Sequence, residues 1–107
     1  MVKSSNQVLE RLFETIKSRK LANPSSSYTA SLFAAGMPEI SKKVGEEAIE
    51  IITAGLSKSG SVASESADLL YHLLVLWVAA DIKPSDVWSE LEKREGVSGI
   101  EEKTSRK

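Results

Sequence analysis

Two pairs of acidic residues in this sequence have a spacing that suits the binding of a cation. Glu47 is followed by Glu50, and Glu65 by Asp68, so the members of each pair stand three positions apart. On an α-helix, at about 100° per residue, this spacing puts both carboxylates on one face, one turn apart. Neither pair has a lysine or arginine four residues later, and apolar residues flank both. Four carboxylates on two facing helices would therefore repel each other strongly unless a cation lay among them.

The chemistry of these ligands favours a hard divalent cation. Carboxylate oxygens alone suit Mg²⁺ or Mn²⁺ better than zinc. A di-iron bundle needs two Glu-x-x-His motifs, and the single histidine of this chain, His72, stands four residues after Asp68. The alternative is that both pairs are solvated helix faces, which is the usual role of charge clusters. Two such pairs, each embedded in apolar sequence, favour the metal site.

Two interpretations are open for each of four neighbouring residues, Lys42, Lys43, Tyr71 and His72. Lys42 and Lys43 precede the first acidic cluster by one turn, where they would either contact a polyphosphate or form a row of surface ion pairs. His72 would either reach a phosphate or a water, or be a hydrogen-bonded core residue, which is the commoner case. Gly45, in mid-helix, costs about 1 kcal/mol relative to alanine, and a close approach by a ligand or a partner helix would explain it.

Five helices are predicted around these residues, because apolar residues recur at helical spacing between clusters of helix breakers. The first covers about residues 9–21 and ends before Asn23-Pro24. The others cover residues 28–35, about 38–56, about 62–80 and 86–95, with Gly36 and Gly96 as stops. Pro84 or Ser85 opens the last of them. The connections are short enough for antiparallel neighbours, which indicates an all-α bundle.

The helix predicted for residues 62–80 is apolar around its whole circumference. The apolar positions are Leu69, Leu70, Leu73, Leu74, Val75, Leu76, Trp77 and Val78. Such a helix must be covered on all sides, and three other substantial helices are too few to do so. A second subunit is the economical explanation, and a fully internal helix in a monomeric bundle is the alternative.

Composition excludes several classes of function. The 107 residues fit one domain, residues 1–107, with a loose charged tail at about 99–107. With 14 basic and 15 acidic residues the net charge is −1, which does not suit nucleic-acid binding. The absence of cysteine excludes disulfides and thiolate metal sites. The N-terminus has no secretory apolar region, and the longest apolar run, residues 69–80, is shorter than the about 18 residues of a membrane span. A cytosolic setting fits these observations.

Three segments carry a resemblance to a known family. They are Ser27-Tyr28-Thr29, Lys43-Val44-Gly45-Glu46-Glu47-Ala48-x-Glu50 and Glu65-x-Ala67-Asp68-Leu69-Leu70-Tyr71-His72. Together they strongly resemble the phosphoribosyl-ATP pyrophosphatase family of histidine biosynthesis, over about residues 8–103. The doubled acidic motif is typical of the wider MazG-like superfamily of all-α nucleoside-triphosphate pyrophosphatases. Ser25-Ser26 departs from the acidic-Gly pair that is frequent in relatives, a change expected to alter a loop and not the metal site.

The resemblance implies a reaction, a cofactor and an assembly. The expected reaction is the hydrolysis of phosphoribosyl-ATP to phosphoribosyl-AMP and pyrophosphate, the second step of the pathway, with water attacking the α-phosphorus. The resemblance further implies Mg²⁺, or Mn²⁺ as a substitute, and a cytoplasmic homodimer. The expected fold is a MazG-like bundle of four to five helices whose four-helix core is completed by dimerisation. Nothing of the cyclohydrolase found in fused relatives is present, so we expect the freestanding form.

Roles for individual residues follow from the same resemblance. The expected metal ligands are Glu47, Glu50, Glu65 and Asp68, with Glu46 as a further ligand or an acid that activates water. As acceptor of the proton from the attacking water we expect Glu46 or Glu47. The candidates for substrate contacts are Lys42, Lys43, Tyr28 and Thr29, joined by His72 because an imidazole can reach a phosphate.

Two other functions stay open. One is a housekeeping pyrophosphatase of the same superfamily that destroys non-standard dNTPs. The other is a non-catalytic helical interaction module whose acidic residues are ordinary surface. Pyrophosphate release from phosphoribosyl-ATP beside a panel of dNTPs distinguishes the first, and stabilisation by magnesium distinguishes the second.

Overall fold

The described part of the chain consists of helices and their connections. The computed structural model describes residues 7–57 and 60–96, and its helices are α1 (Val8–Ser18), α2 (Tyr28–Ala35), α3 (Met37–Ser57), α4 (Val62–Ala79) and α5 (Pro84–Arg94). One 3₁₀ turn, Arg19–Leu21, follows α1. These ranges contain no strand, so the all-α prediction and the expected number of helices are confirmed. The tail predicted at 99–107 lies outside the described residues.

Two predicted helix ends differ from the observed ones for local reasons. α1 ends at Ser18, one turn earlier than predicted, because its continuation tightens into the 3₁₀ turn. α5 begins at Pro84, one of the two residues predicted to open it and two positions before Asp86, the predicted start of its span. The carboxylate of Asp86 accepts a hydrogen bond from the backbone N–H of Lys83 at 2.9 Å, which makes Asp86 a first-turn residue that closes the helix start.

A single residue joins α2 to α3. Gly36 has a φ of 93°, a conformation that a side chain would strain, and it lets the chain turn from one helix directly into the next. At the other end of α2, the hydroxyl of Ser27 accepts a hydrogen bond from the backbone N–H of Ala30 at 3.1 Å. This N-cap fixes the first helical residue as Tyr28. The predicted bounds of this helix are confirmed.

The hydrophobic core is formed around α4. Its buried apolar residues come from four helices and are Phe13, Ile16, Leu32, Ile40, Leu74, Val75 and Val78. The rings of Trp77 and Trp88 meet edge to face, with centroids 6.1 Å apart, and so attach α5 to α4. The most extensive contact between two elements is that of α3 with α4. This contact brings the two acidic pairs of the sequence towards each other.

Within the described residues, α4 is only partly covered by the other helices. Leu74, Val75 and Val78 are buried, whereas Leu69 and Leu73 are partly exposed and Leu70 is exposed. By length and composition alone α4 could cross a membrane, a weak indication because core helices pass the same test. The helix carries Glu65 and Asp68 in its first two turns and packs against α1, α2 and α3, which is typical of a core helix.

Candidate metal and substrate site

Three of the four predicted metal ligands converge between α3 and α4. One carboxylate oxygen from each of Glu47, Glu65 and Asp68 lies within 4.8 Å of the other two. Glu47 comes from the middle of α3, and the other two come from the first half of α4. The spacing of three residues places Glu65 and Asp68 on one face, and the packing of the two helices supplies the third ligand.

The cluster is partly withdrawn from solvent and is not neutralised by an ion pair. Glu47 is only 7% exposed, which is rare for a glutamate without a paired cation. The salt bridges found in residues 7–57 and 60–96 are Lys43–Glu46 and Lys93–Glu90, and neither includes a member of the cluster. Negative charge without an ion-pair partner among the described residues therefore concentrates between the middle of α3 and the first half of α4.

Glu50, the fourth predicted ligand, lies beside this cluster without belonging to the group of three. Desolvation raises the pKa of Glu65 above its ordinary value of 4.5, and the negative charges of Glu50, Asp68 and Glu47 raise it further. Glu50 contributes the largest of these charge effects. The predicted set of four acids is thus one electrostatic unit, in which Glu65 holds its proton more tightly than an ordinary glutamate.

These residues fit a hard divalent cation. The donors are carboxylate oxygens from two rigid helices, and the one buried carboxylate, that of Glu47, has no protein cation bound to it among the described residues. Mg²⁺ and Mn²⁺ prefer such oxygen ligands. A bound ion would replace the mutual repulsion of the acids by attraction.

The remaining residues of the α3 motif point to the outside of the cluster. Glu46 is exposed, and its carboxylate lies 3.4 Å from Nζ of Lys43. The pKa of Lys43 is raised, first by the negative charge that Tyr28 can carry and then by the hydrogen bond to Glu46, so the lysine stays charged. Lys42 is exposed on the same helix. A Cβ built at Gly45 meets no atom within 4 Å, so no contact among the described residues explains this glycine.

The predicted substrate residues of α2 are bonded to α4. Tyr28 Oη lies 2.9 Å from Nε2 of His72, and the hydroxyls of Thr29 and Tyr71 are hydrogen-bonded to each other. Thr29 and His72 are buried, whereas the ring of Tyr28 is 54% exposed. We call these four residues the α2–α4 clasp. The imidazole of His72 is thus buried and hydrogen-bonded, as the second of its two interpretations describes. It adjoins the acidic cluster through Asp68.

Sequence reasoning left the role of Tyr71 open between the same two interpretations as His72 and did not identify Thr29 as its partner. Its partner Thr29 is 42 positions away in the chain, and no local periodicity connects the two. The available signal was the presence of two adjacent polar residues, Tyr71-His72, in an otherwise apolar stretch, together with a second adjacent polar pair, Tyr28-Thr29, at a helix start. Buried polar side chains need partners, and these two pairs are each other's partners.

Comparison with known proteins shows the family to which this chain belongs. The family model described as PRA-PH, phosphoribosyl-ATP pyrophosphohydrolase, matches residues 9–95. The chain is 54% identical over 106 residues to the phosphoribosyl-ATP pyrophosphatase of Azospirillum brasilense, covering 98% of this chain and 96% of that protein. It is 56% identical over 99 residues to the protein of that name from Parvibaculum lavamentivorans, covering 92% and 91%. The chain therefore belongs to the phosphoribosyl-ATP pyrophosphohydrolase family.

Proposed function

We propose that this protein hydrolyses phosphoribosyl-ATP to phosphoribosyl-AMP and pyrophosphate, the second step of histidine biosynthesis, in the cytoplasm. The observation that carries the proposal is the convergence of Glu47, Glu65 and Asp68 in a member of this family. Release of pyrophosphate requires cleavage between the α- and β-phosphates of a strongly anionic substrate. A site built of carboxylates alone would repel such a substrate, so the proposal includes a cation.

The proposed cation is Mg²⁺, with Mn²⁺ as a substitute, held by Glu47, Glu50, Glu65 and Asp68. The pKa of Glu65 is raised first by desolvation and next by the negative charge of Glu50, and this second effect supports the inclusion of Glu50 in this set. When bound, the ion would supply Lewis-acid stabilisation of the negative charge on the phosphate oxygens. The two helices fix the positions of the ligands before the ion arrives, which lowers the cost of organising the site.

A glutamate of α3 would take the proton of the attacking water. The water oxygen forms a bond to the α-phosphorus, the bond from that phosphorus to the bridging oxygen breaks, and pyrophosphate leaves. Glu46 and Glu47 remain the two candidates for proton acceptor. Glu47 is buried in the cluster, whereas Glu46 is exposed beside Lys43. A base must lie within hydrogen-bond reach of the water; Glu47 belongs to the cluster itself, and Glu46 is its neighbour in the chain.

The lysines and the start of α2 would hold the substrate. Lys42 and Lys43 offer positive charge on the turn of α3 that precedes the acidic residues, where phosphate oxygens not bound to the ion would be neutralised. Tyr28 is close enough to Lys43 and Glu47 for their charges to affect its pKa. Its half-exposed ring is suitable for contact with a ribose or a base. Thr29 and His72 are buried behind it.

We further propose that the protein is a homodimer. Ile49, Ile52 and Leu56 form an exposed apolar stripe on α3, at the spacing of one helix face. Leu70 adds exposed apolar surface on α4. At about 100° per residue, the stripe lies on the face of α3 opposite the buried Ile40, Glu47 and Ala54, so a second subunit packed on it would cover α3 from the side away from the core. The incomplete cover of α4 within one chain supports the same arrangement.

Substitution of single ligands tests the enzymatic assignment. We expect Glu50→Ala and Asp68→Ala each to lower the rate of pyrophosphate release by more than the about 10–100-fold that loss of an outer-sphere partner costs. Helical content, measured by circular dichroism, should not change. Glu14→Ala, which removes an exposed glutamate of α1, is the matched control and should retain full activity. Near-normal activity of either ligand variant would overturn the assignment.

The rival functions give different results in the same assays. A housekeeping enzyme would release pyrophosphate faster from non-standard dNTPs than from phosphoribosyl-ATP. An interaction module would hydrolyse neither, and Mg²⁺ would not raise its midpoint of thermal unfolding. A preformed site is stabilised by RT ln(1 + [L]/Kd), so unfolding scans at increasing Mg²⁺ concentration separate a metal site from ordinary surface acids.

A further inference from the structure

The α2–α4 clasp has a definite direction of hydrogen bonding. Nδ1 of His72 lies 2.8 Å from the backbone carbonyl oxygen of Asp68. A carbonyl oxygen only accepts, so Nδ1 must carry a hydrogen. In a neutral imidazole the other nitrogen, Nε2, is then an acceptor, and its partner at 2.9 Å, the hydroxyl of Tyr28, must be the donor. The chain of donation runs from Tyr28 through His72 to Asp68.

The surroundings of Tyr28 keep its proton in place. Burial of the hydroxyl raises the pKa of Tyr28 above 10.0, in part against the lowering effect of Lys43. The phenol is therefore neutral at physiological pH and remains a donor. Both nitrogens of His72 are engaged within the protein, so the imidazole has neither left for a phosphate.

The series of hydrogen bonds ends on the backbone of Asp68, and the side chain of Asp68 belongs to the acidic cluster. The carbonyl that accepts from His72 and the carboxylate that joins Glu47 and Glu65 are both parts of Asp68. Asp68 is exposed, and its position is not fixed by burial. His72 is on the same helix as Asp68 and is bonded in turn to Tyr28 of α2, so the two hydrogen bonds together tie the turn of α4 that carries the carboxylate to α2.

Resting on the proposed function, we propose that His72 is a positioning residue: held in one tautomer by Tyr28, it fixes the turn of α4 on which Asp68 presents its carboxylate to the divalent cation. Its role in the reaction is indirect and involves no contact with the substrate. Residues outside the first ligand sphere that orient ligands commonly change metal affinity by about 10–100-fold when removed.

The direction of hydrogen-bond donation through His72 can be measured without metal or substrate. His72 is the only histidine in the sequence, so a ¹⁵N–¹H correlation spectrum of the protein contains one imidazole and needs no assignment. At about pH 9, where an ordinary histidine is neutral, we expect the Nδ1–H tautomer in the wild type. In Tyr28→Phe the Nε2 resonance should move towards that of an imidazole nitrogen without a hydrogen-bond donor. An Nε2–H tautomer in the wild type would overturn the proposal.

The effect on the site is measured by calorimetric titration with Mg²⁺ alone. We expect the dissociation constant to rise about tenfold in His72→Leu and by a smaller factor in Tyr28→Phe. Tyr28→Phe keeps the half-exposed ring and removes one hydroxyl, so it should fold. Thr53→Val is the control, because it removes an exposed hydroxyl that bonds to the backbone of Ile49 on α3, and its dissociation constant should equal that of the wild type.

Kinetics and stability distinguish a positioning role from the alternatives. Lower stability of Tyr28→Phe with an unchanged Mg²⁺ dissociation constant would assign the clasp to the core only and overturn the proposal. An unchanged Mg²⁺ affinity in Tyr28→Phe, together with a raised KM for phosphoribosyl-ATP at saturating Mg²⁺, would limit the Tyr28 hydroxyl to the substrate contact proposed above and also overturn the positioning role. If the wild type binds no Mg²⁺ and releases no pyrophosphate, the proposed function itself fails. If the wild type does both and the variants match it, only the positioning role fails.

Discussion

The ionisation of Glu65 is opposed by its surroundings, and this opposition lowers the stability of the metal-free site. Desolvation and the charges of Glu50, Asp68 and Glu47 all act on its pKa in the same upward direction. A carboxylate with a raised pKa in the folded state makes the folded protein less stable once it ionises, because the unfolded chain ionises more easily. Without metal, the site therefore opposes folding at neutral pH, and a bound divalent cation removes that opposition.

The raised pKa predicts how the metal-free protein responds to acid. As pH falls from neutral through the raised pKa of Glu65 towards its unfolded value of 4.5, the contribution of this residue to the free energy of unfolding should increase. Denaturant titrations in EDTA at a series of pH values measure this. Glu65→Gln, which cannot ionise, should be more stable than the wild type at neutral pH and should lack this part of the pH dependence. A variant less stable than the wild type at neutral pH in EDTA would contradict the assigned repulsion.

Protons and metal should compete at the same residue. We expect the affinity for Mg²⁺ to fall on acidification at a higher pH than an ordinary glutamate would give, because Glu65 binds a proton more readily. Calorimetric titrations with Mg²⁺ from neutral pH downwards test this prediction. An affinity that stays constant until the ordinary glutamate range would contradict it.

The α3–α4 pair is the element that converts sequence spacing into a site. Helical periodicity predicted that Glu65 and Asp68 share a face, and their joint membership of the cluster confirms it. The same reasoning placed Glu47 with Glu50, yet Glu47 alone joins the close group. Which residue of α3 lies nearest to α4 depends on the rotation and axial shift of one helix against the other. These are set by core packing between residues distant in sequence, which a one-dimensional pattern does not contain.

The bounds of α2 were predictable for a different reason. Ser27 caps its start and Gly36 ends it, and both signals are local. The bonds from Thr29 to Tyr71 and from Tyr28 to His72 were not predictable, because they join residues 42 and 44 positions apart. Inspection of the sequence therefore predicts where this helix begins and ends. Only the folded structure shows which residues of α4 it is bonded to.

Two glycines of α3 make a matched pair for testing close approach to the site. Gly45 and Gly55 are both helical, and a Cβ at either meets nothing within 4 Å. We expect Gly45→Ala and Gly55→Ala each to raise the free energy of unfolding by about 0.8–1 kcal/mol, because alanine has the higher helix propensity. Chemical denaturation measures this gain. A destabilised Gly45→Ala variant would show that its surroundings are more crowded than the described residues indicate.

Activity separates the two glycines. If substrate approaches the backbone beside the acidic motif, Gly45→Ala should raise the KM for phosphoribosyl-ATP. Gly55→Ala, more than two turns further along α3, should leave the KM unchanged. Equal KM values for both variants would exclude a close approach by substrate at Gly45.

At the scale of the whole molecule, the core is thin and much apolar surface lies outside it. Nine apolar residues are buried in the described part of the chain. By contrast, Ile49, Ile52 and Leu56 are exposed along one face of α3. Because α4 is apolar around its whole circumference, the sequence predicts a second subunit. The sequence of α4 does not indicate where that subunit would pack. The exposed stripe on α3 is the surface on which we propose that the second subunit packs.

A substitution at the end of the stripe tests the dimer. We expect the wild type to sediment as a dimer at micromolar concentration, and Leu56→Arg to shift it towards the monomer by burying a charge in the interface. Leu21→Arg is the control, since Leu21 is 98% exposed in the turn after α1, away from the stripe. It should change neither the sedimentation coefficient nor the stability by more than about 0.5 kcal/mol. A monomeric wild type would contradict the prediction.

The shortness of α2 has a consequence for motion. Its eight residues form too few turns for a helix to persist in water without neighbours, because isolated helices below about 12–15 residues are marginal. Contacts with α3 and α4 keep this segment helical. The exchange of its amide hydrogens with deuterium should therefore follow its undocking from these helices and not the unfolding of the whole bundle. Deuterium uptake in α2 therefore measures how often this helix undocks from the bundle beside the acidic cluster.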